Sequence, residues 1–205
     1  MPSAPARPWG GFNAARRRAA SGFTIVELIT VLVVMGILGA VAIARFFDNG
    51  PIQAREFADQ AKAVIRYGQK LAIAQNRPIY VSATGNRFAL CVQPACAAGS
   101  LVTAPGGNNR GTTATKAQCQ TGGSYVSSWM CEGKPDGLTV ACSRATEVGP
   151  NGMFFFDAMG RPYNAADAAN PLGTASTFTT PLTVTFSAGT TSVDVTVEAE
   201  TGYVH

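Results

Sequence analysis

Histidine occurs once in the chain, as the terminal residue His205. That leaves no imidazole for a catalytic triad or a histidine-ligated zinc site within the body of the protein. Charge is also scarce, at 14% of 205 residues, and its imbalance is confined to the start. Arg7, Arg16, Arg17 and Arg18 precede residue 23, and no acid precedes Glu27. Beyond residue 22, 12 of the 16 basic residues remain against 12 acids. A body of zero formal charge argues against a nucleic-acid partner, which calls for Lys and Arg concentrated on a surface. The glycine-rich stretch GGNNRGTT lacks the G-x-x-x-x-G-K-[ST] pattern of a phosphate cradle and has no helix signal after it. The five cysteines, Cys91, Cys96, Cys119, Cys131 and Cys142, show no twin C-x-x-C spacing, which argues against a zinc site. No carboxylate stands beside a nucleophile in a recognisable motif. No catalytic, cofactor or metal residue is therefore assigned, and no enzyme activity or cofactor is expected.

What the chain does have is one long apolar run. Residues 23–44 are 22 residues with a single charge, Glu27, and 13 of them are Leu, Ile, Val or Phe. As a helix they reach roughly 33 Å, against about 30 Å of bilayer hydrocarbon. At about −0.3 to −0.6 kcal/mol each, the apolar side chains outweigh one acid costing roughly 3 kcal/mol at the helix centre and less near its end. The arginines keep the N-terminal side cytoplasmic, so the remainder is exported. A plain membrane anchor fits these facts, and so does a conventional secretory signal. Ala40-Val41-Ala42 and Ala42-Ile43-Ala44 each offer the small-x-small pattern for cleavage after the run. In a third reading the cut precedes the run, which then stays on the mature protein.

The residues of that third reading are specific. Gly22-Phe23-Thr24-Ile25-Val26-Glu27, with basic residues before it and an uninterrupted apolar helix after it, resembles the type IV prepilin signal. The resemblance implies cleavage between Gly22 and Phe23 by a prepilin peptidase and methylation of the new amino terminus at Phe23. It also implies a role for Glu27 in filament assembly. The free amine of Phe23 has a reference pKa near 8. A buried amine and a buried carboxylate are each costly alone and far less so when paired. Glu27 lies one helical turn from its own Phe23, which permits an intramolecular pair. The family reading instead pairs Glu27 with the amine of a neighbouring subunit.

Beyond Arg45, Asn49-Gly50-Pro51 breaks the helix. A second helical pattern runs from about Ile52 to Gln75, with Phe57, Ala61, Val64, Gly68 and Leu71 on one face. Arg55, Asp59, Lys62, Arg66 and Lys70 form the opposite, solvated stripe, with Arg55/Asp59 spaced for an i,i+4 pair. Strands are expected at 79–82 and 87–92 around a TGN turn, at the phenylalanines 154–156 running into a turn at 159–161, and in a hairpin. In that hairpin Leu182, Val184 and Phe186 alternate with Thr183 and Thr185, and Val193, Val195 and Val197 with Asp194, Thr196 and Glu198, giving one buried face. Residues 94–128, rich in Gly, Ala, Thr, Ser and Asn, are expected to form an irregular exposed loop. If Asp136-Gly137 is a two-residue hairpin turn, Cys131 and Cys142 face each other and a cross-strand disulfide follows. Cys91 and Cys96 then close a small loop around Pro94, with Cys119 left over. Five cysteines allow fifteen ways to form two bridges, so this pairing is one of several.

The stretch IRYGQKLAIAQNRPIYV and the closing TGYV are similar to the FimT and H-type pseudopilin class, and to minor pilins of mannose-sensitive haemagglutinin pili. The resemblance implies an α+β pilin-like fold, in which a long hydrophobic helix continues into an amphipathic helix packed on an antiparallel β-sheet. It divides the chain into a leader (1–22), a transmembrane and filament-core helix (23–45), an amphipathic helical half (46–77) and a periplasmic or extracellular sheet domain (78–205). It implies as partners the prepilin peptidase, other pilin or pseudopilin subunits, an inner-membrane assembly platform and the membrane. The location implied is a single pass of the bacterial inner membrane followed by a pilus or pseudopilus. Some FimT-type proteins bind DNA through Gly-Arg-x-Arg. Here Gly160-Arg161-Pro162-Tyr163 lacks the second arginine.

Overall fold

The computed structural model describes residues 22–46, 49–149, 151–169 and 175–205, without the side chains of 41–46 and 168–169. The arginine-rich leader and the side chains of Ala42, Ala44 and Arg45 lie outside the described residues. The chain forms two units, Met1–Phe47 and Asp48–His205, each considered by itself.

The first unit contributes helix α1, Ile25–Phe46. The second opens with α2, Gly50–Gln75. Asn49 is its N-cap and Pro51 sits in its first turn, where a missing N–H removes no intrahelical bond. The Asn-Gly-Pro break therefore becomes a helix start. At the other end Asn76 adopts a left-handed conformation (φ 49°), and its N–H donates to the carbonyls of Ala72 and Ile73. Pro78 follows and prevents continuation. Ala54, Phe57, Ala58, Ala61, Val64, Ile65, Gly68 and Ala72 are buried along one face, at the spacing the periodicity predicts. Arg55, Asp59 and Lys70 are exposed. The expected Arg55–Asp59 pair is absent from the ion pairs of the described residues. On this face Glu56 pairs instead with Arg110, at 2.6 Å.

Ten strands follow among the described residues, all paired antiparallel. β1 (Ile79–Ala83), β2 (Arg87–Cys91), β5 (Cys131–Gly133), β7 (Met153–Phe156) and β8 (Pro162–Asn164) form a five-stranded sheet in the order β5-β2-β1-β7-β8. β6 (Thr139–Cys142), β9 (Leu182–Ala188) and β10 (Thr191–Val197) form a second sheet in the order β10-β9-β6. The architecture is thus α+β, a helix packed on antiparallel sheets. β3 (Gln120–Thr121) and β4 (Ser124–Tyr125) make a separate small ribbon.

Period-two alternation explains which side chains go where. From the first sheet, Ile79, Val81, Phe88, Leu90, Phe154 and Phe156 join the core under α2. Tyr80, Ala89, Cys91, Phe155 and Tyr163 point the other way into a second apolar cluster around Trp129. The three phenylalanines of β7 therefore do not all face the helix. Leu182, Val184 and Phe186 of β9 and Val195 and Val197 of β10 complete the main core, while Thr185 donates across the strands to Asp194 at 2.6 Å. The approach of α2 is close: a Cβ on Gly68 would stand 2.8 Å from Leu90 Cδ2.

Two expectations are overturned. Cys131 is bonded not to Cys142 but to Cys119, and the second disulfide joins Cys91 to Cys96. Cys142 is free. The chain does turn at Gly137 (φ 78°), but the flanking strands separate there. β5 pairs with β2 in one sheet and β6 with β9 in the other, so no hairpin brings Cys131 and Cys142 together. Nor is 94–128 an irregular exposed loop. Bridges Cys91↔Leu101 and Thr103↔Trp129 bring it alongside the first sheet. It also contains helix α3, Thr113–Gln118, capped by the Thr112 hydroxyl, which accepts from Thr115 N. Asn109 Nδ2 donates to the carbonyls of Val126 and Trp129. The carboxylate of Glu132 is buried and accepts from Arg110 N and the Thr115 hydroxyl.

The Cys119–Cys131 bridge ties this excursion to the sheet across a separation of 12 residues. Cys119→Ser is expected to cost about 3 kcal/mol, whereas Cys142→Ser, which breaks no disulfide and keeps a hydroxyl to donate to the Arg144 and Val148 carbonyls, is expected to cost clearly less. Guanidinium unfolding under non-reducing conditions measures both, and equal losses would contradict the assigned pairing.

Candidate functional site

The processing and assembly positions named by the sequence lie together at the start of α1. Gly22, Phe23 and Thr24 precede the helix in non-helical chain, and Phe23 is 82% exposed. The Gly22–Phe23 peptide bond is thus accessible. Thr24 is the helix cap: its hydroxyl accepts from Glu27 N at 3.2 Å, and its carbonyl accepts from Leu28 N at 3.1 Å. Thr24-Ile25-Val26-Glu27 has the form of a capping box.

The cap places Glu27 in the first helical turn, where the helix dipole favours an acid by about 0.3–1 kcal/mol. The residue is exposed. Among the described residues its carboxylate accepts no hydrogen bond and joins no ion pair. One turn on, the Thr30 hydroxyl donates to the Glu27 carbonyl at 2.9 Å. The geometry leaves a carboxylate at the mouth of an apolar helix with its acceptor capacity unused.

From Leu28 to Ala40 α1 carries one polar side chain, Thr30. Ile25, Val26, Leu28, Ile29, Val31, Leu32, Val33, Val34, Met35, Ile37 and Leu38 are all exposed, and the helix lacks the polar stripe of a surface helix. Such a helix needs an apolar surrounding, either lipid or other helices. Among the described residues no helix is long and apolar enough to cross a membrane. The side chains of 41–46 lie outside them.

The Gly160-Arg161-Pro162-Tyr163 stretch runs from the turn after β7 into β8. Gly160 has φ 80°, and Asp157 Oδ1 accepts from the N–H groups of Met159 and Arg161, both at 2.9 Å. Arg161 faces Glu200 at 3.5 Å, and Tyr163 stacks on Phe155 with centroids 5.2 Å apart. Burial, reinforced by the nearby Asp157 carboxylate, pushes the Tyr163 phenol above its ordinary pKa. Arginine and tyrosine here hold a turn together. The closing Thr-Gly-Tyr-Val docks against that turn, with Gln69 Nε2 donating to the carbonyls of both Gly160 and Thr201.

No family model matches the chain, and no curated protein does. Among solved structures the chain is similar to the type IV minor pilin FimU of Pseudomonas aeruginosa. The identity is 12%, covering 77% of this chain and 90% of that one, with a TM-score of 0.44. It is also similar to the minor pseudopilin EpsH from the type 2 secretion system of Vibrio cholerae. There the identity is 14%, covering 77% of this chain and 95% of that one, with a TM-score of 0.40.

Proposed function

We propose that the chain is a minor pilin or pseudopilin, a structural subunit of a type IV pilus or type II secretion filament. The observation that carries the reading is α1 itself. It is apolar from Leu28 to Ala40 apart from Thr30, is opened by the Thr24 cap, carries in its first turn one carboxylate without a partner among the described residues, and follows an exposed Gly22–Phe23 bond. A prepilin peptidase cuts that bond and the new Phe23 amine is methylated. Residues 23–45 then hold the subunit in the inner membrane with its N-terminal side cytoplasmic, while the folded body from about residue 46 onward lies in the periplasm. The assembly platform draws the subunit out, and α1 exchanges lipid for the helices of sister subunits. On entry to the helix bundle Glu27 meets the amine of a neighbouring Phe23, and the two buried charges compensate each other. The role is structural and requires no catalytic group. A DNA-binding role through Arg161 has less support, because the Gly160-Arg161-Pro162-Tyr163 stretch lacks the second arginine and the residues beyond 22 carry no net formal charge.

Two measurements test this. N-terminal mass analysis of the exported protein is expected to find a methylated Phe23. A chain beginning at Arg45 would mean a conventional secretory signal and end the proposal. Glu27→Val is expected to leave cleavage and membrane insertion intact while incorporation into filaments falls at least about tenfold, the size of one lost charge pairing. Undiminished incorporation of that variant would remove Glu27 from assembly.

A further inference from the structure

On the face of the first sheet away from α2 lies a groove of about 370 Å³, lined among others by Ser82, Pro94, Asn151 and Met153. Arg87 is the one charged residue among the described residues that line it. Its Nη1 donates to the Gln118 carbonyl at 2.8 Å and the Gln120 carbonyl at 3.5 Å, and the group lies over the Trp129 ring, 4.9 Å from its centroid. Nε is buried without a hydrogen-bond partner, and among the described residues no carboxylate pairs with Arg87. Burial pushes its pKa below the ordinary arginine value, as expected for a cation partly stripped of water and lacking a counter-charge. Ser82 and Thr84 line the same groove with hydroxyls that no described hydrogen bond uses. The larger groove of the unit, about 490 Å³, differs in this respect. It carries both signs of charge, and its Arg110 is already paired with Glu56.

We propose that the Arg87 groove binds a small carboxylate-bearing ligand, with the guanidinium as counter-charge and the Ser82 and Thr84 hydroxyls as further hydrogen-bond partners. With Nη1 engaged and Nε buried, Nη2 is the nitrogen left to donate, and one cation matches a monocarboxylate in charge. Pro94 and Met153 provide apolar contact for the remainder of the ligand. The inference rests on the folded body alone and does not depend on the filament reading.

Met153 serves as a built-in reporter. The full-length chain in detergent micelles, labelled at methionine methyl groups, is titrated with glucuronate and separately with N-acetylglycine, each alongside its methyl ester. A saturable shift of the Met153 resonance with either acid, with Met159 unmoved, is the expected result, and which acid acts tells an acidic sugar from a peptide carboxyl terminus. The esters are expected to bind at least about tenfold more weakly, and so is either acid to Arg87→Gln. Ser82→Val narrows the groove while leaving Arg87 in place, so it tests the groove even if Arg87→Gln fails to fold. The proposal is overturned if neither acid gives a saturable shift by roughly 10 mM, a very weak affinity. Esters that bind as well as acids, or a folded variant that binds like the parent, would overturn it equally.

Discussion

Phe57→Ala is expected to destabilise the folded body by about 3–5 kcal/mol, the range for removing a fully buried aromatic ring. Phe57 is 1% exposed and lies where α2 meets both sheets. Its ring centroid is 6.0 Å from that of Phe88 on β2 and 5.7 Å from that of Phe186 on β9, and those two rings are themselves 5.7 Å apart. Truncation thus opens a cavity at the junction of three elements and removes edge contacts worth about 0.5–1.5 kcal/mol per pair. No small movement of one element can fill it. Phe57→Leu keeps most of the volume and is expected to lose far less. Ile52→Ala, at a position 66% exposed, should stay within about 0.5 kcal/mol. Guanidinium unfolding followed through the buried Trp129 gives each midpoint, with an unchanged slope marking a true stability effect. A loss below about 1 kcal/mol for Phe57→Ala would mean that α2 is not the keystone between the sheets.

The same residues show which parts of the fold could be read in advance. Helix α2 and the β9–β10 hairpin are visible because burial there is periodic. Phe57, Ala61, Val64 and Gly68 recur at helical spacing, and Leu182, Val184 and Phe186 alternate with half-exposed threonine and serine. The 94–128 excursion escapes that reading because polar side chains order it. Asn109, Thr112, Thr115 and Glu132 satisfy one another and the backbone, and no hydrophobic period announces such bonds. The Cys131 partner escapes for a related reason. A turn at Asp136-Gly137 looks the same in sequence whether its strands pair with each other or leave for different sheets, and that choice is made by β2 and β9. At the candidate site, Gly22, Phe23 and Glu27 stand out by residue type and spacing. The Glu27 carboxylate has no partner among the described residues, so its role cannot be read from one subunit and is a proposal tested by Glu27→Val.

Arg144→Met carries the other large expected effect, a loss of about 3–5 kcal/mol. Arg144 Nη2 donates to Glu147 Oε1 at 2.9 Å, with the side chains 17% and 2% exposed. The same guanidinium donates to the Thr180 carbonyl and to Asn164 Oδ1, both at 2.8 Å, and lies over the Phe178 ring at 4.2 Å. Asn164 in turn donates to the Thr177 hydroxyl, and Asp167 accepts from Thr177 N and Oγ1. One cation therefore links the loop after β6, strand β8 and the segment leading into β9, elements from both sheets. Its removal leaves Glu147 as a buried carboxylate whose remaining described partner is the Thr146 hydroxyl, and an uncompensated buried charge is what makes such losses large. The double variant Arg144→Met/Glu147→Leu removes both charges and is expected to recover much of the loss. The coupling energy from the double-mutant cycle then separates the ion pair from the packing around it. If the double variant is as unstable as the sum of the single ones, the cost lies in the lost bonds to Thr180 and Asn164 and not in a stranded carboxylate.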